Sequence, residues 1–153
     1  MTAALWGPPL KNVNTLGGST QSATPVSVYT YDFAAKQLQV QGAHFKLSIY
    51  GEVVGTADAK TIVVTLGATT LLTATIAAST AEYRVEVHVF NRTDSSTKRV
   101  WSKVEQNGVA PIIALNVSAN IDVTSAQTLT VTHQVTNTAD LNRIGMVELE
   151  LTH

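Results

Sequence analysis

The alternation of apolar and polar residues between positions 82 and 89 constrains the fold more than any other feature of this chain. The apolar residues Tyr83, Val85, Val87 and Val89 alternate with Glu82, Arg84, Glu86 and His88. Successive side chains of a β-strand point to opposite faces, so a period of two separates an apolar face from a polar one. The segment is therefore predicted to be a strand with one buried and one hydrated face.

The same pattern predicts further strands along the chain. It recurs in Leu129–Val135 and Val147–Leu151. Thr and Val, whose branching at Cβ favours strands over helices, supply 41 of the 153 residues. Six more strands are predicted from composition and flanking turns: Val26–Tyr31, Leu38–Tyr50 allowing a break at Gly42, Thr61–Leu66, Thr69–Ala77, Thr97–Gln106 and Ile112–Ile121.

The order of these segments predicts the fold class. Turn-forming residues separate the strands and no helical period interrupts them. Nine short strands without crossover helices predict an all-β fold, an antiparallel β-sandwich, with the jelly-roll type as first choice and an immunoglobulin-like sandwich as second. A chain of this length fits one domain, which can bury roughly 70% of its unfolded surface.

The first 24 residues differ in composition from the rest. An apolar cluster containing Leu5, Trp6, Pro8, Pro9 and Leu10 precedes a polar stretch from Asn12 to Thr24 that contains two adjacent glycines. The cluster is too small to form a core, and the polar stretch has too little apolar surface to pack. We therefore expect an extended N-terminal arm at residues 1–24 that orders on a partner, and a sandwich domain at residues 25–153. The five apolar residues are the predicted partner-binding residues.

Charge and cysteine content exclude several functions. The net charge is −1, with 14% charged and 44% hydrophobic residues and no cysteine. There is no basic surplus to neutralise phosphates, so nucleic acid is not expected as a partner. Disulfides, thiolate metal sites and a cysteine nucleophile are ruled out. No membrane-spanning or secretory segment is recognisable, so we expect assembly in a cytoplasm and no membrane partner.

The four histidines do not indicate a metal site. They are His44, His88, His133 and His153, and the sequence gives no reason for two of them to converge. His133 lies on the apolar side of its strand and is expected to be a hydrogen-bonded core or interface residue. His88 is expected to be solvated. We expect no metal and no other cofactor.

Catalytic patterns are weak. Ser48 and Ser118 fall inside predicted strands rather than in a strained nucleophile turn. Glu148 and Glu150 are two residues apart on one strand face, with Cβ atoms about 7 Å apart, which a glycosidase pair would permit but any half-exposed strand also displays. Gly51–Gly55 lacks the residues of a phosphate-binding loop and is expected to be a turn. We do not expect an enzyme.

The two tryptophans suggest different roles. Trp101 falls in a predicted strand and is expected to pack in the core or in a subunit interface rather than to stack on a sugar. Trp6, beside two prolines in the arm, is expected to anchor in a partner's pocket.

Several segments together resemble jelly-roll proteins of tailed bacteriophage particles. They are His44–Gly51, the loop Gly55–Ile62 leading into a strand that ends at Leu66-Gly67, Glu82–Val87, Leu129–Asn137 and the closing Val147–Leu151. The resemblance covers residues 42–151. It is to head decoration (cement) proteins and to head domains of fibres and receptor-binding proteins, and it implies a homotrimer located in the virion.

The resemblance leaves three functions to compare. A capsid decoration protein, which bridges subunits of the major capsid protein or another virion protein, is favoured by the short chain, the apolar arm and the low charge. A tail-fibre or receptor-binding head domain is the alternative; such tips usually follow a long coiled or repeated shaft, and we recognise none in this sequence. An enzyme is supported only by the two glutamates.

Overall fold

The computed structural model describes the backbone of residues 10–14, 18–39, 41–91 and 97–152, and their side chains except at 10–19, 97 and 109–118. The described residues form strands and turns without a helix. The strands are β1 (Leu10–Asn14), β2 (Gly18–Thr20), β3 (Val26–Phe33), β4 (His44–Val54), β5 (Lys60–Leu66), β6 (Thr69–Ile76), β7 (Thr80–Phe90), β8 (Thr97–Gln106), β9 (Val109–Asn120), β10 (Gln127–Val135) and β11 (Leu141–Thr152).

The strands form two antiparallel sheets. The larger has the order β1-β11-β4-β7-β8-β9, with β2 also paired to β11, and the smaller has the order β3-β10-β5-β6. Apolar residues of both sheets join in one buried core. The predicted antiparallel β-sandwich is therefore confirmed. No helix in the described part of the chain is long and apolar enough to cross a membrane.

Period-two alternation builds the core as the sequence indicates. In β7, Val85 and Val87 are fully buried and face Ile49 and Leu47 of β4, which are also fully buried. Burying one such side chain contributes about 1.5–3 kcal/mol. Residues at the alternate positions form the opposite, outer face of the large sheet.

One predicted strand begins later than expected. Residues 35–39 form turns, and β4 starts only at His44. Lys36 adopts a left-handed φ of 65°, and its backbone N–H donates to the carbonyl of Val123 at 2.9 Å. Leu38 is 5% exposed, so it reaches the core from a turn. Leu38 was assigned to a strand because it is apolar, but it is buried from a turn, where tertiary packing holds it.

The predicted arm is partly incorporated into the sheet. Leu10–Asn14 and Gly18–Thr20 pair with β11, with Leu10 opposite Leu151 and Thr20 opposite Asn142. The expectation that residues 1–24 order only on a partner is thus incorrect for these two segments, because β11 offers them its open edge. Residues 1–9 and 15–17 lie outside the described residues.

A buried ion pair fastens three loops at one end of the sandwich. The Lys60 ammonium lies 2.8 Å from the Asp140 carboxylate, and neither side chain is exposed. Lys60 also donates to the carbonyls of Thr56 and, at 3.0 Å, of Ala78. Thr56, Ala78 and Asp140 belong to the loops between β4 and β5, β6 and β7, and β10 and β11, respectively, and Lys60 is the first residue of β5.

The Asp140 carboxylate is fully occupied by donors. Besides Lys60, it accepts from the Thr56 backbone N–H at 2.6 Å and the Thr56 hydroxyl at 2.8 Å. The hydrogen bond from Lys60 lowers the pKa of Asp140, against the effect of burial. Gly55 has a φ of 130°, and a Cβ there would collide with Asp140. Gly55 is therefore part of a turn that closes over this carboxylate. The expectation that Gly51–Gly55 is a turn is wrong for residues 51–54, which continue the pairing of β4 with β7 and β11 and end that strand.

Replacing Lys60 by Met should destabilise the protein strongly, because Asp140 would remain buried without a counter-ion. We expect the free energy of unfolding to fall by about 3–5 kcal/mol in urea denaturation. Arg143→Met is the control, since Arg143 forms an exposed ion pair with Glu52 and should cost under about 1 kcal/mol. Equal losses in the two variants would contradict the role given to the buried pair.

Candidate interaction face

The outer face of the large sheet carries the densest set of functional groups among the described side chains. It is formed by alternate residues of β4, β7, β8 and β11. Their side chains are mostly half-buried by their neighbours within this sheet. Two clusters and a shallow cleft occupy this face.

The first cluster is charged and centred on Glu86. The Glu86 side chain is 8% exposed and pairs with Arg84, with Lys103 at 3.0 Å and with Lys46 at 3.9 Å. Burial raises the pKa of Glu86, but the hydrogen bond from Lys103 and the neighbouring cations outweigh it and hold the pKa below its usual value. Lys103 also donates to Glu105 at 3.0 Å. The carboxylates and cations of this cluster thus largely neutralise one another.

The second cluster, here called the aromatic cluster, consists of His44, His88, Phe90 and Trp101. The rings of His44 and Phe90 stack at 4.4 Å, and the Trp101 ring meets His88 edge-on at 4.8 Å. His44 Nε2 and His88 Nδ1 are 3.1 Å apart. Phe90 is 37% exposed, so the cluster presents an apolar surface to solvent.

Both histidines of the aromatic cluster favour the neutral form. Burial lowers the pKa of His44, with Glu150 opposing and Lys46 reinforcing the shift. Burial also lowers the pKa of His88, and the charge of His44 adds to this. The prediction that His88 is solvated is correct only in part, because its ring is half-buried between His44 and Trp101. His44 and His88 are 44 residues apart in the sequence and meet only because of the register of β4 against β7. No local sequence pattern indicates this contact.

A cleft of about 290 Å³ lies on the same face, toward the end of β4. Its walls are Tyr50, Gly51, Glu52, Glu82, Tyr83, Arg143 and Gly145. Glu52 lies directly opposite Glu82, and like charges at such positions are unfavourable. Arg143 pairs with Glu52 and partly offsets this repulsion.

The floor of the cleft depends on Gly51. A Cβ at Gly51 would collide with the Tyr83 ring, whose hydroxyl donates to Asn142 Oδ1 at 2.9 Å. Opposite Gly51, the pairing of β11 shifts by a bulge between Ile144 and Met146. Burial, followed by the charge of Glu52, raises the pKa of Tyr83, so its hydroxyl stays a neutral donor. Bulges of this kind often lie beside binding sites.

The remaining predicted residues fall in several places. Glu148 and Glu150 share one face of β11, as predicted, opposite Ser48 and Lys46. Trp101 lies half-buried on the outer face rather than in the core. Of the predicted partner-binding residues, Leu5, Trp6, Pro8 and Pro9 lie outside the described residues, and Leu10 begins β1. His153 is also outside them.

His133 is buried as predicted but lacks the expected hydrogen bonds. It is 1% exposed, and neither ring nitrogen has a hydrogen-bond partner among the described residues. Burial lowers its pKa to about 4. The folded protein therefore keeps this imidazole neutral well below the pH at which an exposed histidine takes up a proton.

Comparisons with known proteins assign no family. Neither family models nor curated proteins match the sequence. A VP2 subviral particle of infectious bursal disease virus superposes with a TM-score of 0.42 at 10% identity, over 95% of this chain and 33% of that chain. The structure of the Gx strain of the same virus gives a TM-score of 0.40 at 10% identity, over 97% and 33%.

This chain thus spans 33% of the length of each of those viral chains. At such low similarity, neither structure assigns a function to it.

Replacing His133 by Leu should remove a pH-dependent loss of stability. The unfolded chain binds a proton at this histidine near pH 6.5 and the folded protein only near pH 4, so wild-type stability should fall as the pH drops through this window. At the acid end of this window, the difference between the two pKa values corresponds to a loss of about 3 kcal/mol in the free energy of unfolding. Urea denaturation of both proteins at pH 7.5 and pH 4.5 measures it. If both lose the same free energy, His133 is not the responsible group.

Proposed function

We propose that this chain is a structural subunit of a virus particle that acts by binding rather than by catalysis. The specific form of the proposal is a bacteriophage capsid decoration protein that bridges neighbouring capsid subunits and stabilises the head. The observation that supports it is the outer face of the large sheet, where the aromatic cluster adjoins mutually paired charges.

The energetics of this face favour protein association. The carboxylate of Glu86 already has its cationic partners Arg84 and Lys103, so covering it does not leave an isolated charge. Phe90 and Trp101 supply apolar area of the residue types that dominate binding energy in interfaces. A face of this composition can be covered by another protein at low electrostatic cost.

The composition supports the same proposal. With 14% charged residues, this chain has less charge than the roughly 25% of ordinary soluble domains. Part of its surface is then available for burial against other subunits. The homotrimer implied by the phage resemblance belongs to this proposal, with the major capsid protein or another virion protein as the external partner.

The alternative is a receptor-binding domain of a tail fibre. The cleft beside Tyr50, Glu82 and Arg143 favours it, because carboxylates, a guanidinium and an aromatic ring are groups that hold sugars. The 290 Å³ volume is at the lower limit for a ligand pocket, so the decoration role remains the better supported. Imaging the intact particle by cryo-electron microscopy separates a head-surface position from a tail-tip position.

Truncating the aromatic cluster should weaken attachment to the particle. We expect Phe90→Ala and Trp101→Ala each to reduce affinity for particles depleted of this protein at least tenfold, since a hot-spot residue contributes about 2 kcal/mol or more. Cosedimentation at varied protein concentration measures the affinity. Both side chains lie outside the core, so the fold should be retained.

Val26→Ala is the matched control, because Val26 has the same 37% exposure as Phe90 but belongs to β3 of the small sheet. Its attachment should equal that of wild type. Undiminished attachment of both outer-face variants would contradict the assignment of this face.

Deleting residues 1–9 should also impair attachment while leaving the sandwich intact. This deletion spares β1 and removes Trp6 with its apolar neighbours, which we propose insert into a partner. We expect an unchanged melting temperature, an unchanged trimer mass in light scattering and at least tenfold weaker attachment. Full attachment of the truncated protein would eliminate the N-terminal segment as an anchor.

A further inference from the structure

Two imidazole rings meet at the start of β4 and the end of β7. His44 Nε2 and His88 Nδ1 are 3.1 Å apart, and the two ring planes differ by 10°. The ring centroids are 5.4 Å apart, which places the rings edge to edge rather than face to face. One proton between the two nitrogens accounts for this contact, with one histidine donating and the other accepting.

The rings are positioned by their neighbours. Phe90 stacks on His44 at 4.4 Å, and Trp101 holds His88 from the side at 4.8 Å. Both histidines are half-exposed, so the pair has an open solvent side. These contacts keep the two rings beside each other.

We propose that His44 and His88 form a binding site for a divalent transition-metal cation, which takes the place of the proton that the two rings share. Zinc–nitrogen bonds of 2.0–2.1 Å in a tetrahedral arrangement separate two ligand nitrogens by about 3.3 Å. The observed 3.1 Å is close to this value. Each ring has to turn so that both lone pairs converge on the solvent side.

The donor set defines the class of metal. Neutral imidazole suits zinc, nickel and copper, whereas calcium and magnesium prefer oxygen ligands. Even a fully exposed histidine, with a pKa near 6.5, is mostly neutral at pH 7.5, so protons compete little with a metal at that pH. The carboxylates of Glu86 and Glu150 and the ammonium groups of Lys46 and Lys103 surround the pair, so the local charge is mixed.

The site is an open one. No group of three or more histidine, cysteine or carboxylate side chains within the described ranges could hold a metal. With two protein ligands, water completes the coordination, and we expect affinity in the micromolar range rather than that of a structural zinc site. His44 and His88 lie on separate strands, β4 and β7, so the sequence contains no local spacing of metal ligands that would indicate the site.

Isothermal titration of untagged protein with ZnCl₂ or NiCl₂ at pH 7.5, after treatment with a chelator and its removal, tests the proposal. We expect one metal per chain and a melting temperature that rises with metal concentration. His44→Ala and His88→Ala should each weaken binding at least tenfold. His133→Leu, which removes a histidine of the core, should bind as wild type does.

Histidine ring signals in NMR spectra provide a second measurement that does not depend on stability. Metal should shift or broaden the signals of His44 and His88 and leave those of His133 unchanged. The proposal is overturned if no heat, melting shift or spectral change is seen at millimolar metal, or if binding persists unchanged in both alanine variants. The outcome is independent of whether the chain belongs to a virus particle.

Discussion

The register of β4 against β7 is the constraint on which most of this structure depends. The two strands pair over eleven residues from His44 opposite Phe90 to Val54 opposite Thr80, without a bulge. Every second pair is apolar and buried, and the pairs between them form the outer face. A slip of one residue would exchange the two sets and place Glu86 in the core. The core and the candidate interaction face are therefore fixed by the same pairing.

The structure departs from regular pairing where β11 meets the other end of β4. The bulge between Ile144 and Met146 lies opposite Gly51, and the Tyr83 ring occupies the space that a side chain at Gly51 would fill. A tyrosine hydroxyl from the apolar face of β7 can thereby reach Asn142. The cleft is thus a consequence of local irregularity on an otherwise regular sheet.

Strands could be predicted from the sequence where one face is buried and the other hydrated, because this arrangement alone produces the alternation of apolar and polar residues. All nine predicted strands are present, because alternation of apolar with polar residues, and enrichment in Val and Thr between turn-forming residues, report directly on a half-buried sheet. The predicted start of a strand at Leu38 was wrong, because Leu38 is buried from a turn and β4 begins only at His44. The pairing of β1 and β2 with β11 was missed, since short polar segments such as Gly18–Thr20 carry no alternation and depend on an available sheet edge.

The candidate site was less predictable than the fold. Trp101, Glu148 and Glu150 were singled out, and their strand positions were inferred correctly. The contact of His44 with His88 and the ion pair of Lys60 with Asp140 depend on long-range register and on loop closure. In a chain of unknown topology, a lysine that opens a strand gives no indication that it will be fully buried.

The distribution of polar groups connects stability with the proposed binding role. Lys60 and Asp140 satisfy each other at the loop end, whereas His133 and Ser102 are buried with side-chain atoms that lack partners among the described residues. Such unpaired atoms reduce stability, and a sandwich can retain them only if other interactions compensate. The continuous β4–β7 ladder provides such compensation. It also holds the outer face in a fixed shape, so that little conformational entropy remains to be lost when that face associates with another protein.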